Sequence, residues 1–216
     1  VPATLRLGQN LEDSATLLLS VVPPNPVDIT ATIASTAVAM LSTSPTVLGG
    51  NSVTFPNVTN TSQTLWVQAV GSAGQSTTIT VTAPGYNSAT ITVSVDPSGF
   101  VNINQNATLS TTAAAANTTL TVRPARLDPV SLDYASSGLL RPAGLGFTPP
   151  VQVNVTSSNP SVGVITISPL SFNTNVATLV TAFDPIAQGS TTVTYQTPPG
   201  FSTPNNFRTN VITVNP

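Results

Sequence analysis

The chain has no cysteine and no histidine. Those two absences remove disulfides, thiolate nucleophiles, Ser-His-Asp triads and the usual zinc sites, each of which needs a sulfur or an imidazole that titrates near neutral pH. Lysine is absent as well. Five Arg stand against seven Asp and Glu, for a net charge of −2. No basic stripe is available to displace counterions from phosphates, which argues against nucleic acid as a partner. No apolar run approaches the roughly 20 residues needed to cross a bilayer, so no membrane insertion is expected. A basic n-region followed by an apolar h-region is also missing. No window holds the i, i+3, i+4, i+7 apolar spacing of a helix, and 20 prolines spread along the chain would break most helices. The run of four alanines at 113–116 is flanked by Thr-Thr and Asn-Thr-Thr and reads as a loop or a poor strand end.

What is present is neutral and strand-forming. Ser, Thr, Asn and Gln must wet the surface, while Val, Ile, Leu and Ala recur at regular spacing, which is not the composition of a disordered chain. Branching at Cβ favours the pleated backbone. The 216 residues suffice for one large domain or two of about 100 residues. The chain opens on Val1 rather than Met and reads as a mature piece, or one cut from a longer polypeptide, at the cell surface or outside the cell. Scarce Lys and Arg leave few tryptic sites, which suits that location.

Short strands are expected at 3–7, 14–22, 28–34, 38–42, 52–55, 64–70, 76–82 and 89–95, separated by clusters of Gly, Pro and Asn. Alternation is clearest in ATITVSV, where Ile91, Val93 and Val95 face one way and Thr90, Thr92 and Ser94 the other. The second half then repeats the first in order. STTITVTAPGY at 76–86 returns as STTVTYQTPPGF at 190–201, and ITVSVDP returns as VITVNP. VDITATIASTAVAMLSTSP matches VQVNVTSSNPSVGVITISP, with Ile29, Ala31 and Ile33 on Val151, Val153 and Val155. LWVQAVG matches TLVTAFD, with Val67 and Ala69 on Val180 and Ala182. One fold used twice is the economical explanation. The expected fold class is all-β: two tandem sandwiches, one over 1–97 and one over 98–216, with Pro97 stiffening the seam.

The strand reading G-x-S-T-T-I-T-V, the glycine turn, the closing T-I-T-V-S-V and the stretch V-x-V-x-S-x-N-P-S-V resemble the bacterial immunoglobulin-like domains, the tandem modules of invasin- and intimin-type adhesins and other secreted bacterial proteins. The resemblance spans both halves. It implies sandwiches without a disulfide pin and no catalytic motif, since these domains share a fold rather than an activity. The first copy departs from the pattern at IASTAV and the second through an added segment.

That segment, RPARLDPVSLDYASSGLLRPAGLGFTPP at 123–150, has no expected counterpart beyond the short PPNP link. It carries Arg123, Arg126, Arg141, Asp128, Asp133, Tyr134 and Phe147. Long loops tend to be functional, and an Arg and Tyr cluster suits recognition. The competing expectation is a cover over a sheet edge, with its Leu residues on apolar surface. Trp66, the only Trp, is expected to face outward with Val70, either stacking on a sugar or packing under a loop. The candidate ligand-binding residues are therefore Trp66, Arg123, Arg126, Tyr134 and Arg141. Asp96 in the linker and the Glu12-Asp13 pair, placed in an early loop, are thin material for calcium at the joint. Asp128 and Asp133 are five residues apart and would be the pair for acid–base chemistry. Sequons at Asn57, Asn60, Asn106, Asn117 and Asn154 read as unmodified in a bacterial protein.

The functional expectation is a non-catalytic spacer within a larger surface or secreted protein. It needs no cofactor, and its partners are other domains of the same polypeptide. The alternative is an adhesion or carbohydrate-binding module meeting a surface glycan or a host or matrix protein.

Overall fold

A computed structural model describes residues 1–104, 107–113 and 115–216. Ala114 and the sequon at Asn106 therefore lie outside the described residues. No helix occurs among those described. The first half contributes β1 (Thr4–Gly8), β2 (Leu11–Leu18), β3 (Val27–Ile33), β4 (Ala39–Ser42), β5 (Ser52–Val58), β6 (Ser62–Ala69), β7 (Ser76–Thr82) and β8 (Ala89–Asp96). Then follow β9 (Ser98–Val101), β10 (Thr108–Thr112), β11 (Thr118–Leu127), β12 (Tyr134–Ser137), β13 (Leu139–Leu140), β14 (Val151–Val153) and β15 (Val155–Ser157). The chain closes with β16 (Gly163–Ile165), β17 (Leu170–Phe172), β18 (Leu179–Pro185), β19 (Gly189–Tyr195) and β20 (Thr209–Asn215).

The fold class is all-β, two tandem immunoglobulin-like sandwiches with no disulfide. In the first, the sheet β1-β8-β7-β3-β5 faces β2-β6-β4, with β1 parallel to β8. In the second, β10-β20-β19-β15 and the β14-β17 pair face β11-β18-β16, and β10 is again parallel to its closing strand. Alternation explains the cores. Thr77, Ile79 and Val81 point inward from β7, and Ile91, Val93 and Val95 from β8. Thr191, Val193 and Tyr195 do the same from β19. Each fully buried aliphatic contributes about 1.5–3 kcal/mol relative to exposure. The two apolar interiors are separate clusters, with one exception: Leu11 of β2 belongs to the second.

Cross-strand registers correct two of the sequence matches. Ala31 stands opposite Val81, and Val155 opposite Tyr195, so Val155 is the counterpart of Ala31 rather than of Ile33. The slip is two residues, which leaves the inward face unchanged. In β18 the slip is odd and the face reverses. Leu41 pairs with Val67 while Ile165 pairs with Phe183, making Phe183 the counterpart of Val67. Thr181 and Phe183 are buried and Val180 is half exposed. Two local features drive this. A Cβ at Gly163 would meet the Phe183 ring at 2.1 Å, so glycine makes the room the ring fills. The Thr181 hydroxyl donates to Ile167 O at 2.8 Å and accepts from Ile167 N at 3.1 Å, which removes the cost of burying it. Glu12 and Asp13 lie in β2, not in a loop, because that strand starts at Leu11 rather than Ser14.

Candidate functional site: the joint between the sandwiches

Only Pro97 separates β8 from β9, and the chain passes from one sandwich to the next almost without a loop. At that point sits Asp96, whose side chain is 4% exposed. A buried carboxylate needs partners of opposite charge. Arg6 of β1 supplies a two-pronged contact, Nε to Oδ2 at 2.8 Å and Nη2 to Oδ1 at 2.7 Å. Arg126 of β11 adds Nη1 to Oδ2 at 2.9 Å. One carboxylate thus ties a strand of the first sandwich to a strand of the second. The two guanidinium groups hold its oxygens, so Asp96 is satisfied by arginine rather than offered to calcium. Among the described residues no group of three or more Asp, Glu, His or Cys gathers to hold a metal.

Backbone contacts reinforce the tie. Gln9 N donates to Asp96 O at 2.8 Å, Leu127 N to Pro97 O at 2.8 Å, and Ser202 N to Ser98 O at 2.7 Å. The Ser98 hydroxyl donates to Gln9 O at 2.5 Å. Small residues allow this closeness. A Cβ on Gly8 would meet Leu11 Cδ1 at 2.6 Å, and one on Gly99 would meet Ser202 O at 2.6 Å. Phe100 then drops from β9 into the second core, its ring 5.0 Å from those of both Phe172 and Phe201.

Residues 123–150 complete the joint. The first five continue β11 and do have a counterpart: with Ala15 opposite Leu65 and Leu120 opposite Thr181, residues 123–127 correspond to 18–22. Beyond them, β12 pairs with β11, and β13 crosses to the first sandwich, placing Leu139 opposite Glu12 and Leu140 opposite Leu11. This is the cover over a sheet edge expected as one of two alternatives. Beneath it Glu12 and Gln68 are fully buried, with Gln68 Nε2 donating to Glu12 Oε2 at 3.1 Å and to Val47 O at 2.9 Å. Among the described residues Glu12 Oε1 has no partner, and burial pushes the carboxyl up to about 8, so it is protonated at neutral pH.

The residues singled out in the sequence are not gathered into one cleft. Arg141 is 1% exposed and turned onto its own loop, donating to Pro142 O at 3.2 Å and Gly144 O at 2.8 Å. Its guanidinium lies 4.8 Å from the centre of the Phe147 ring. Burial lowers it to about 10, which leaves it charged. Arg123 is held by Ser137 and Asn104, and Arg126 by Asp96 and Ser136. Tyr134 packs edge-on against Phe207 at 6.1 Å. Trp66 lies apart from these on β6, half-buried, between Ser14 and Ser42 of the neighbouring strands. Asp128 caps its own turn by accepting from Val130 N and Ser131 N, both at 2.9 Å, and the Ser131 amide leads in holding it below the usual carboxylate range. Asp133 accepts from Asn205. Sequence reading missed Arg6 as a joint residue, because its partner is 90 positions away, and weighed Glu12 only as calcium material rather than as a residue covered by β13.

No protein-family model matches the chain, and no curated protein matches it. Among solved structures it is similar to domains 4 and 5 of the S-layer protein SbsC, at 13% identity over 87% of this chain and 70% of that one, with a TM-score of 0.37. It is similar to CBD12 from CALX1.2 at 11% identity over 99% and 98%, with a TM-score of 0.36. It is also similar to the Yersinia pseudotuberculosis adhesin InvE at 15% identity, covering 98% of this chain and 56% of that one, with a TM-score of 0.34. Identities this low concern the fold alone, and the grounds for that fold remain the strand order and registers above.

Proposed function

We propose that the chain is a non-catalytic extracellular module of a larger surface or secreted protein, a spacer whose work is to fix the orientation of one sandwich on the next. The boundary falls at Pro97, with residues 1–97 and 98–216 as its two units. The observation that carries this reading is the Asp96 tie, in which Arg6 and Arg126 reach one buried carboxylate from opposite sides of the boundary. The β13 crossing and Leu11 in the second core support it. A flexible linker would leave its Gly and Ser mobile; here Ser98 and Gly99 are buried and paired with β11, and the joint buries charge, apolar area and backbone. Residual dipolar couplings test it. One alignment tensor should fit both halves, and two unequal tensors would refute the spacer.

A second reading rests on Trp66. Its cross-strand neighbours, Ser14 and Ser42, are small hydroxyl residues that leave part of the indole uncovered. Such an aromatic could stack on a sugar ring, making the module an adhesion or carbohydrate-binding one. Saturable quenching of tryptophan fluorescence by a glycan, lost in Trp66→Phe at unchanged stability, would support it; a glycan array without a hit would end it.

A further inference from the structure

The two sandwiches differ most at one matching place. In the second, residues 123–127 carry β9 alongside, with Pro124 opposite Phe100 and Ala125 opposite Gly99. Phe100 fills the end of the core between Phe172 and Phe201. In the first, Leu18 pairs with Ser62 and Leu19 N donates to Thr61 O at 2.9 Å, but among the described residues no strand pairs with Ser20, Val21 or Val22. Leu19 is the counterpart of Pro124, and Tyr86 of the repeated Pro-Gly-aromatic turn is the counterpart of Phe201. Where Phe100 sits in the second copy, the first has a solvent-open cavity of about 230 Å³, lined by Leu17, Leu19, Ile29, Val81, Tyr86 and Ala89. A cavity of about 150 Å³ already accommodates a benzene ring. Leu18, which lines it, is 59% exposed, and Val21 and Val22, three and four residues further along the chain, are 62% and 63% exposed.

We infer that this end of the first sandwich is a socket for the exit strand of another immunoglobulin-like module, an extended uncharged segment that adds alongside residues 20–22 and places an aromatic ring in the cavity. The chemistry is that of β9: small residues to permit close backbone approach, then one bulky apolar anchor. The charges at the matching joint do not recur here. Arg123 and Arg126 of the second copy correspond to Leu18 and Val21, so the occupant is recognised by apolar fit and backbone pairing rather than by a carboxylate. The inference deepens the spacer reading and rests on it for the kind of partner, but its test is separate.

The probe is a synthetic peptide of residues 97–103, PSGFVNI, titrated into the full-length ¹⁵N-labelled chain. Saturable shifts are expected at Leu17, Leu19, Val81 and Tyr86, with a Kd on the order of 1 mM, as for a short unrigidified strand. The Phe100→Ser peptide should bind about tenfold more weakly or not at all, and Leu19→Asp in the protein should abolish the shifts. Absence of saturation, shifts confined to the surroundings of Phe172 and Phe201, or equal binding by the Ser peptide would overturn the socket. Concentration-dependent shifts at the same residues without peptide would overturn it in favour of a second copy of the chain. A flexible joint in the dipolar couplings would refute the spacer while leaving this titration unchanged, so the two failures are distinguishable.

Discussion

The first and second sandwiches share a strand order, yet they close their ends with different chemistry. At its lower end the first sets Arg6 against Asp96. At the matching place the second sets Ser110 against Asn215, the amide donating to the hydroxyl at 2.7 Å. The geometry of the parallel strand pair is kept and the charge is gone. In the core, Ile91 of the first becomes Asn210 of the second, and Val81 becomes Tyr195. The polar atoms are accommodated as a buried set: the Tyr195 hydroxyl donates to Asn210 Oδ1 at 2.7 Å and accepts from Asn102 at 2.8 Å. Burial raises the Tyr195 phenol to about 12. The sandwich thus tolerates either filling, and the ends rather than the core distinguish one copy's role from the other's.

Substitutions at matched positions break or sharpen that contrast. The largest effect is expected at the filled end: Phe100→Ala should cost about 3–5 kcal/mol in chemical denaturation, as for other buried aromatics. Asp96→Ala should cost about 2–3 kcal/mol, toward the low end for a buried pair because Arg6 is half exposed, whereas Asn215→Ala should stay within about 0.5 kcal/mol. Equal losses at the two positions would show that the charge at the joint adds nothing. Tyr195→Phe should cost about 1 kcal/mol, since Asn102 and Asn210, already 3.4 Å apart, can turn to each other.

The remaining contrast is one of pH dependence and belongs to Glu12. Its folded value of about 8 lies above the ordinary 4.5, so the folded state holds a proton that the unfolded state releases. Stability is therefore fully present below about pH 4.5 and declines toward pH 8, by up to about 1.4 kcal/mol per pH unit. Glu12→Gln should flatten that slope in denaturation curves taken across the window. A slope unchanged by the substitution would assign the decline to another group.

The sheet strands were legible wherever alternation was regular: β7 and β8 coincide with the expected spans to within a residue because Thr and Val simply take turns. The face of β18 was not. Val180 and Ala182 look like core residues by composition, and only the space left by Gly163, a neighbour on another strand, decides for Phe183. The repeat was visible as motif, but its register across β3 was not, because the second copy breaks that strand at Asn154 between β14 and β15. The joint was the least legible part. Asp96 and Pro97 stood out as a seam, while the arginines that hold Asp96 come from positions 6 and 126, and no local pattern links them. The added segment announced itself by having no visible match, and two of its leucines, Leu139 and Leu140, pair with the edge of β2, Leu140 also entering the second core, while Leu145 stays exposed.

The direct test of a fixed joint is a distance distribution across it. The absence of native cysteine means that Thr80→Cys and Thr213→Cys, both exposed and one in each sandwich, can be spin-labelled without competing sites. Pulsed electron–electron resonance should return one narrow distance, which broadens when Asp96→Ala is added. A broad or multi-peaked distribution in the unaltered joint would contradict the account.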